Sequence, residues 1–174
     1  IAVDAGVDAV KFQTWITDEI IVKSAEKAQY QKEQTGDDEN QYDMLKKLEL
    51  KHSDFLEIKN YCDEKKILFL STPDDHKSGF FLKDIMPIIK IGSAELNNLS
   101  FQKYLAKFNL PLIISTGMGT LEDVKIAKQN IIDSNNDKFI FLHCTSDYPT
   151  SIYDVNLNAM HTLKKELKTL VGYS

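Results

Sequence analysis

Residues 88–95 read IIKIGSAE. A short apolar run carries one lysine, Lys90, then breaks at Gly92 and delivers Ser93 and Glu95. A run without polar–apolar alternation is what a strand covered on both faces looks like, as strands of parallel sheets are. Residues 112–119, LIISTGMG, repeat the plan, with Ser115 and Thr116 leading into a glycine-rich turn. Working outward, residues 139–142 are followed by His143, Thr145, Ser146 and Tyr148. Residues 67–70 are followed by Ser71, Thr72 and Pro73. Residues 9–13 carry Lys11 and Gln13 and run into Thr14, and residues 170–171 precede Tyr173 and Ser174. These six runs are the predicted strands.

Helical periodicity fills the gaps. Helices are expected over 54–65 behind an N-cap at Ser53 and over 101–108 behind Ser100. Another is expected over 121–133 behind Thr120, where Asp123 completes a capping-box pattern, and a last one over 156–167. Most strands recur at the spacing of a βα unit. The connection over residues 14–53 is the anomaly. It is long and charged, with a helix expected over 41–50 and a loop elsewhere. Because it leaves the strand end that carries Lys11 and Gln13, a loop over the functional site is preferred to an idle surface excursion.

No GxGxxG or GxxxxGK[ST] motif follows any strand, which weighs against the dinucleotide-binding and P-loop sheets. Every run ends in polar side chains, and a β/α barrel gathers all such ends on one face, whereas an open sheet gathers only those at its switch point. The fold expected is therefore α/β, a (β/α)8 TIM barrel that is incomplete, with about six strands present. Ile1 opens inside an amphipathic pattern and Ser174 closes on a strand end, so residues 1–174 are expected to be part of a longer barrel domain lacking its first and last units.

The 174 residues carry a net charge of −5, with 43% hydrophobic and 27% charged side chains. A soluble core is affordable and a nucleic-acid partner is not expected, since that needs a basic surface. No apolar run is long enough for a membrane span. Arginine is absent, so any anion must be held by lysines, hydroxyls, backbone N–H groups or metal. Cys62 and Cys144 have no ligand spacing and are expected to be buried, reduced thiols of a cytoplasmic protein. Lys90 inside an apolar run would be costly to bury unpaired and makes sense facing an anion or a carboxylate. Glu95 is a candidate acid–base or metal-side carboxylate. His52, His76 and His161 are expected at the surface, and His143 faces either the strand-end site or the helices. Asp74 and Asp75 are expected to be a solvated pair rather than metal ligands.

Taken in order, KFQT, FLSTP, KIGSAE, ISTGM, LHCTSDYPT and VGYS resemble the sialic acid synthase family, in its N-acetylneuraminate and legionaminate branch. The stretch KAQYQKEQTGDDENQYDMLKKLEL resembles that branch's insertion. The resemblance implies condensation of phosphoenolpyruvate with an N-acylated mannosamine-type sugar aldehyde, giving a nonulosonic acid and phosphate. It implies a divalent metal, manganese or magnesium, whose histidine ligands would lie outside this chain. It also implies a homodimer and a C-terminal antifreeze-like domain absent here, so these residues alone are expected to be inactive.

Carried across by motif, Lys11 would meet the phosphoenolpyruvate carboxylate and Gln13 the sugar. Thr72, Lys90, Ser93, Ser115, Ser146 and Ser174 would surround the phosphate. Tyr148 would pack on or bond the sugar, and Glu95 would serve the reacting carbons. Asp74 departs from the family, which commonly has Phe there. Two other readings stay open: a Schiff-base aldolase using Lys11 or Lys90 on the same barrel, and a non-catalytic sugar- or phosphate-binding barrel.

Overall fold

The computed structural model describes residues 1–28, 31–33, 36 and 38–174. Positions 29, 30, 34, 35 and 37 fall in the branch-specific insertion read from the sequence, and the reading of those positions lies outside the described residues. The chain divides into two compact units, Ile1–Ile85 and Met86–Ser174.

The first unit contains β1 (Ala9–Thr14), α1 (Thr17–Ile20), α2 (Gln41–Leu48), α3 (His52–Glu64), β2 (Leu68–Pro73) and α4 (His76–Leu82). β1 and β2 pair in parallel, with Lys11 opposite Leu70 and Gln13 opposite Thr72. Successive side chains of a strand point to opposite faces, so this register sorts the pair. Lys11, Gln13, Leu70 and Thr72 share one face. Phe12, Thr14, Phe69 and Ser71 share the other, where Phe12 stacks on Phe69 with centroids 5.6 Å apart and Thr14 Oγ1 lies 2.7 Å from Ser71 Oγ. Helices α3 and α4 pack against β2, and Phe55 of α3 is buried.

The second unit contains β3 (Ile89–Ile91), a 3-10 turn at Ser93–Glu95, α5 (Leu99–Ala106), β4 (Leu112–Ser115), α6 (Leu121–Ile132), β5 (Phe139–His143), α7 (Asn158–Leu167) and β6 (Val171–Tyr173). All its strand pairings are parallel, in the order β3-β4-β5-β6. That order never reverses. A doubly wound sheet reverses at its switch point, and a barrel does not. Ile89, Ile91, Leu112, Ile114 and Phe141 form a fully buried face, joined by Leu105, Val124, Ile131, Leu163 and Leu167 from the helices. Each such side chain contributes about 1.5–3 kcal/mol by leaving water. Lys90, Ile113, Ser115, Ile140, Leu142 and Gly172 occupy the opposite face.

Several expectations shift. α4 is absent from the sequence reading: it is only seven residues long and carries Gly79. Its signal is Asp75, the N-cap, whose carboxylate accepts from Ser78 N at 2.8 Å and Ser78 Oγ at 2.6 Å. Asp75 also accepts from Ile16 N at 2.9 Å. It is buried, a structural anchor and not the solvated residue expected. α3 starts earlier than expected, with Lys51 at the N-cap and Ser53 inside, because the Asp54 carboxylate accepts from Lys51 N at 2.9 Å. α5 is capped by Asn98, not Ser100; its side-chain carbonyl accepts from Phe101 N at 3.2 Å. The Thr120–Asp123 capping box forms as expected. α7 starts two residues later than expected, since Asn156 adopts a left-handed φ of 42°. α1 interrupts the stretch read as loop, held by Thr17 N donating to Glu49 Oε2 at 2.8 Å. Cys62 and Cys144 are both free and buried. No described helix is long and apolar enough to cross a membrane.

Candidate functional site

In the second unit, the ends of three adjacent strands form one polar cluster. Lys90 and Ser115 sit on the same face of β3 and β4, 7% and 5% exposed. The Lys90 ammonium donates to Ser115 Oγ at 2.5 Å and to the Ile91 carbonyl at 2.8 Å. An ammonium brought this far from water needs every acceptor that its surroundings provide.

Two residues beyond β3, Ser93 Oγ accepts from Gly117 N at 3.1 Å and lies 3.2 Å from Cys144 Sγ. Gly117 follows β4 and Cys144 follows β5, so this contact set ties three strand ends together. Ser146 belongs to it: a Cβ on Gly117 would stand 2.8 Å from Ser146 Oγ, 3.0 Å from Ser93 Oγ and 3.0 Å from the Cys144 carbonyl. The structure therefore brings together Lys90 with Ser115, and Ser93 with Ser146. The cluster is cationic and rich in hydroxyl and N–H donors, which suits an oxyanion.

Glu95 shares the 3-10 turn with Ser93. Its carboxylate accepts from Asn98 Nδ2 at 2.7 Å, while Gln102 Nε2 donates to the Glu95 carbonyl at 2.8 Å and also to the Leu96 carbonyl. Asn98 thus caps α5 with its oxygen and orients Glu95 with its nitrogen. Sequence reading gave no site role to Asn98, Gln102, Gly117 or Cys144; Asn98 carried a usable signal as a strong capping residue, and Gly117 one as a turn glycine. Tyr148 is 60% exposed. Ser174 is exposed too, and its N–H donates to the His143 carbonyl at 2.9 Å.

His143 and Tyr173 lie on the face opposite Lys90, with their rings 5.9 Å apart. His143 Nε2 is 2.7 Å from the Val155 carbonyl. The two-residue period of a strand is the reason that not every polar strand-end residue joins the cluster: His143 faces the helices, and so do Thr14 and Ser71 in the first unit. A cleft of about 450 Å³ opens on that side, lined by Thr116, Gly117, Thr120, His143, Cys144 and Asp154 among others. Gly117 and Cys144 border this cleft as well as the Ser93 turn, but the buried ammonium lies on the other face of the strands, and charge decides where an anion goes.

In the first unit Lys11 and Gln13 are exposed on the face they share with Thr72, which is 3% exposed. Gln13 Nε2 donates to Asp74 Oδ2 at 3.5 Å. The packing around the Lys11 ammonium lowers its pKa below the ordinary lysine value, and the Asp74 carboxylate partly opposes this. His76 and His161 are exposed as expected, but His52 is not a plain surface residue. Its ring stacks on Phe81 with centroids 4.1 Å apart, and its Nε2 is buried with no hydrogen-bond partner among the described residues. Among the described residues, no three His, Cys, Asp or Glu side chains gather to hold a metal ion.

The NeuB family model matches residues 1–174. The N,N'-diacetyllegionaminic acid synthase of Legionella pneumophila is 42% identical over 99% of this chain and 50% of its own length. That of Campylobacter jejuni is 41% identical over 100% of this chain and 53% of its own length. A crystal structure of the N-acetylneuraminic acid synthetase from Leptospira borgpetersenii superposes with a TM-score of 0.83 at 30% identity, over 99% of this chain and 55% of that one. The chain thus spans about half the length of the curated relatives it matches. Its α/β fold is that of the incomplete β/α barrel read from its strand pattern.

Proposed function

Since the chain belongs to the NeuB family of sialic acid synthases, we propose that the whole protein condenses phosphoenolpyruvate with the open-chain aldehyde of an N-acylated mannosamine-type sugar. The products are a nonulosonic acid and inorganic phosphate. The observation that carries this reading is the Lys90 ammonium, buried at a strand end and shared with Ser115 Oγ, beside the Ser93–Gly117–Ser146 turn. A lysine held there without arginine help matches a phosphate as a point charge, with hydroxyls and an N–H supplying direction.

In the reaction, the methylene carbon of phosphoenolpyruvate bonds to the aldehyde carbon. The aldehyde oxygen takes up a proton, water provides the new oxygen at the keto-acid centre, and phosphate departs. Lys90, Ser93, Ser115 and Ser146 neutralise and orient the phosphate, and Thr72 and Ser174 are assigned to it by the resemblance. Lys11 is assigned to the carboxylate, and Gln13 and Tyr148 to the sugar. Glu95, fixed by Asn98, moves the proton. A divalent metal, manganese or magnesium, would be held by ligands outside this chain and would polarise the sugar aldehyde; the described residues do not themselves form such a site. A cytoplasmic homodimer is the assembly proposed, with an antifreeze-like domain beyond the barrel.

Incubating the full-length protein with phosphoenolpyruvate and each candidate sugar, with and without manganese, tests the reading. Mass spectrometry should find the nine-carbon keto acid. One other chemistry is a Schiff-base aldolase, which the direction of the Lys11 shift suits, because a lowered pKa is what makes a lysine a better nucleophile. Borohydride in the presence of pyruvate decides: a covalent adduct on Lys11 or Lys90 sinks the condensation reading, and an unmodified protein sinks the aldolase.

A further inference from the structure

The Ser93 hydroxyl has one proton to give and two acceptor sites to fill. The Gly117 N–H fills one of those sites at 3.1 Å. The other close neighbour is Cys144 Sγ at 3.2 Å, and a thiol is a weak partner as donor or acceptor. A hydroxyl already accepting from a backbone N–H has its proton left to place. An O–H bond to an anionic oxygen is far stronger than one to sulfur, so any oxyanion before the turn draws that proton to itself.

The same turn sets a limit on size. A Cβ at Gly117 would approach Ser146 Oγ to 2.8 Å, and Ser93 Oγ and the Cys144 carbonyl to 3.0 Å each. Hydroxyls can rotate away, but the carbonyl is backbone at the end of β5 and cannot give way cheaply. Gly117 does not have the left-handed φ that only glycine tolerates well. Its requirement is space, not backbone freedom, so an added methyl displaces the turn and takes the N–H away from Ser93.

We propose that Gly117 is a positioning residue: its N–H makes the Ser93 hydroxyl a donor to the bound phosphate, and its bare Cα keeps the Ser93 and Ser146 hydroxyls in place on either side. This rests on the phosphate reading of the cluster given above. It implies that the site selects a group that only accepts hydrogen bonds, as a fully ionised phosphate does.

The experiment is a double-mutant cycle on the full-length protein, with phosphoenolpyruvate binding read by calorimetry. Gly117→Ala should weaken binding by about tenfold or more, the loss of one charge-assisted hydrogen bond. In a Ser93→Ala background the same substitution should cost at least about threefold less, because the hydroxyl that the Gly117 N–H acts through is gone and only the Ser146 contact is left to lose. Equal penalties in the two backgrounds, or no penalty in either, overturn the inference alone. Failure of the unsubstituted protein to bind phosphoenolpyruvate overturns the functional reading and this inference with it. If Gly117→Ala does not fold, Ser93→Ala alone keeps the test: it should weaken phosphoenolpyruvate binding by about tenfold or more, and unchanged affinity overturns the inference.

Discussion

Replacing Lys90 by methionine separates the function of the strand-end cluster from its contribution to stability. Methionine keeps most of the length and apolar stem of lysine while deleting the charge. The side chain is 7% exposed, and its ammonium makes bonds to Ser115 Oγ and the Ile91 carbonyl. Losing two hydrogen bonds from a charged donor costs about 3–6 kcal/mol in total. Removing a cation from a site with little water returns a penalty of several kcal/mol. The two terms oppose, so the stability of Lys90→Met should stay within about 2 kcal/mol of the parent. Binding has no such compensation. A charge-assisted bond to an anion is worth about 1.5–3 kcal/mol, so phosphoenolpyruvate should bind roughly 10- to 150-fold more weakly. Urea unfolding and calorimetric titration of the full-length protein give the two numbers. A variant that loses more than about 4 kcal/mol of stability yet binds as before would refute the reasoning, since Lys90 would then be a structural ion and not an anion ligand.

Two further outcomes follow from the first unit. Asp75→Ala removes the cap of α4 and strands the Ile16 N–H, which together should cost about 2–4 kcal/mol in urea unfolding; a change below about 0.5 kcal/mol would contradict the anchoring role. Although the Lys11 side chain is exposed as a whole, partial desolvation of its ammonium lowers its pKa, so the unfolded chain holds its proton to higher pH than the folded one. Stability should therefore rise with pH between the folded value and the ordinary lysine range, and Lys11→Met should flatten that rise. Asp74→Asn, which removes the carboxylate that supports the charge, should start the rise at lower pH. A Lys11 midpoint at or above 10.5 in an NMR titration would overturn this.

The strands were legible because their runs are near-continuously apolar rather than alternating, and each of the six runs read from the sequence became a strand. Their polar ends were legible as a set but not as a site. Sequence spacing places His143 beside Thr145 and Ser146, yet the pleat turns His143 to the helices and leaves Lys90 and Ser115 together on the other face. Caps went astray where two candidates competed: Asn98 displaced Ser100, and the Asp54 carboxylate fixed an earlier start than Ser53. Asp75 looked solvated because nothing local announces that Ile16, 59 residues away, supplies a donor. Gly117 was visible as a turn residue, but the crowding that requires it comes from β3 and β5, which no local pattern reveals.

The measurement that bears most directly on the central claim is a crystal structure of the full-length protein with phosphoenolpyruvate bound. The phosphate should lie within hydrogen-bond distance of Lys90 Nζ, Ser115 Oγ and Ser93 Oγ. A phosphate seated instead in the cleft lined by Thr120, His143 and Asp154, with Lys90 still turned to Ser115 and Ile91 and not to the phosphate, would contradict it.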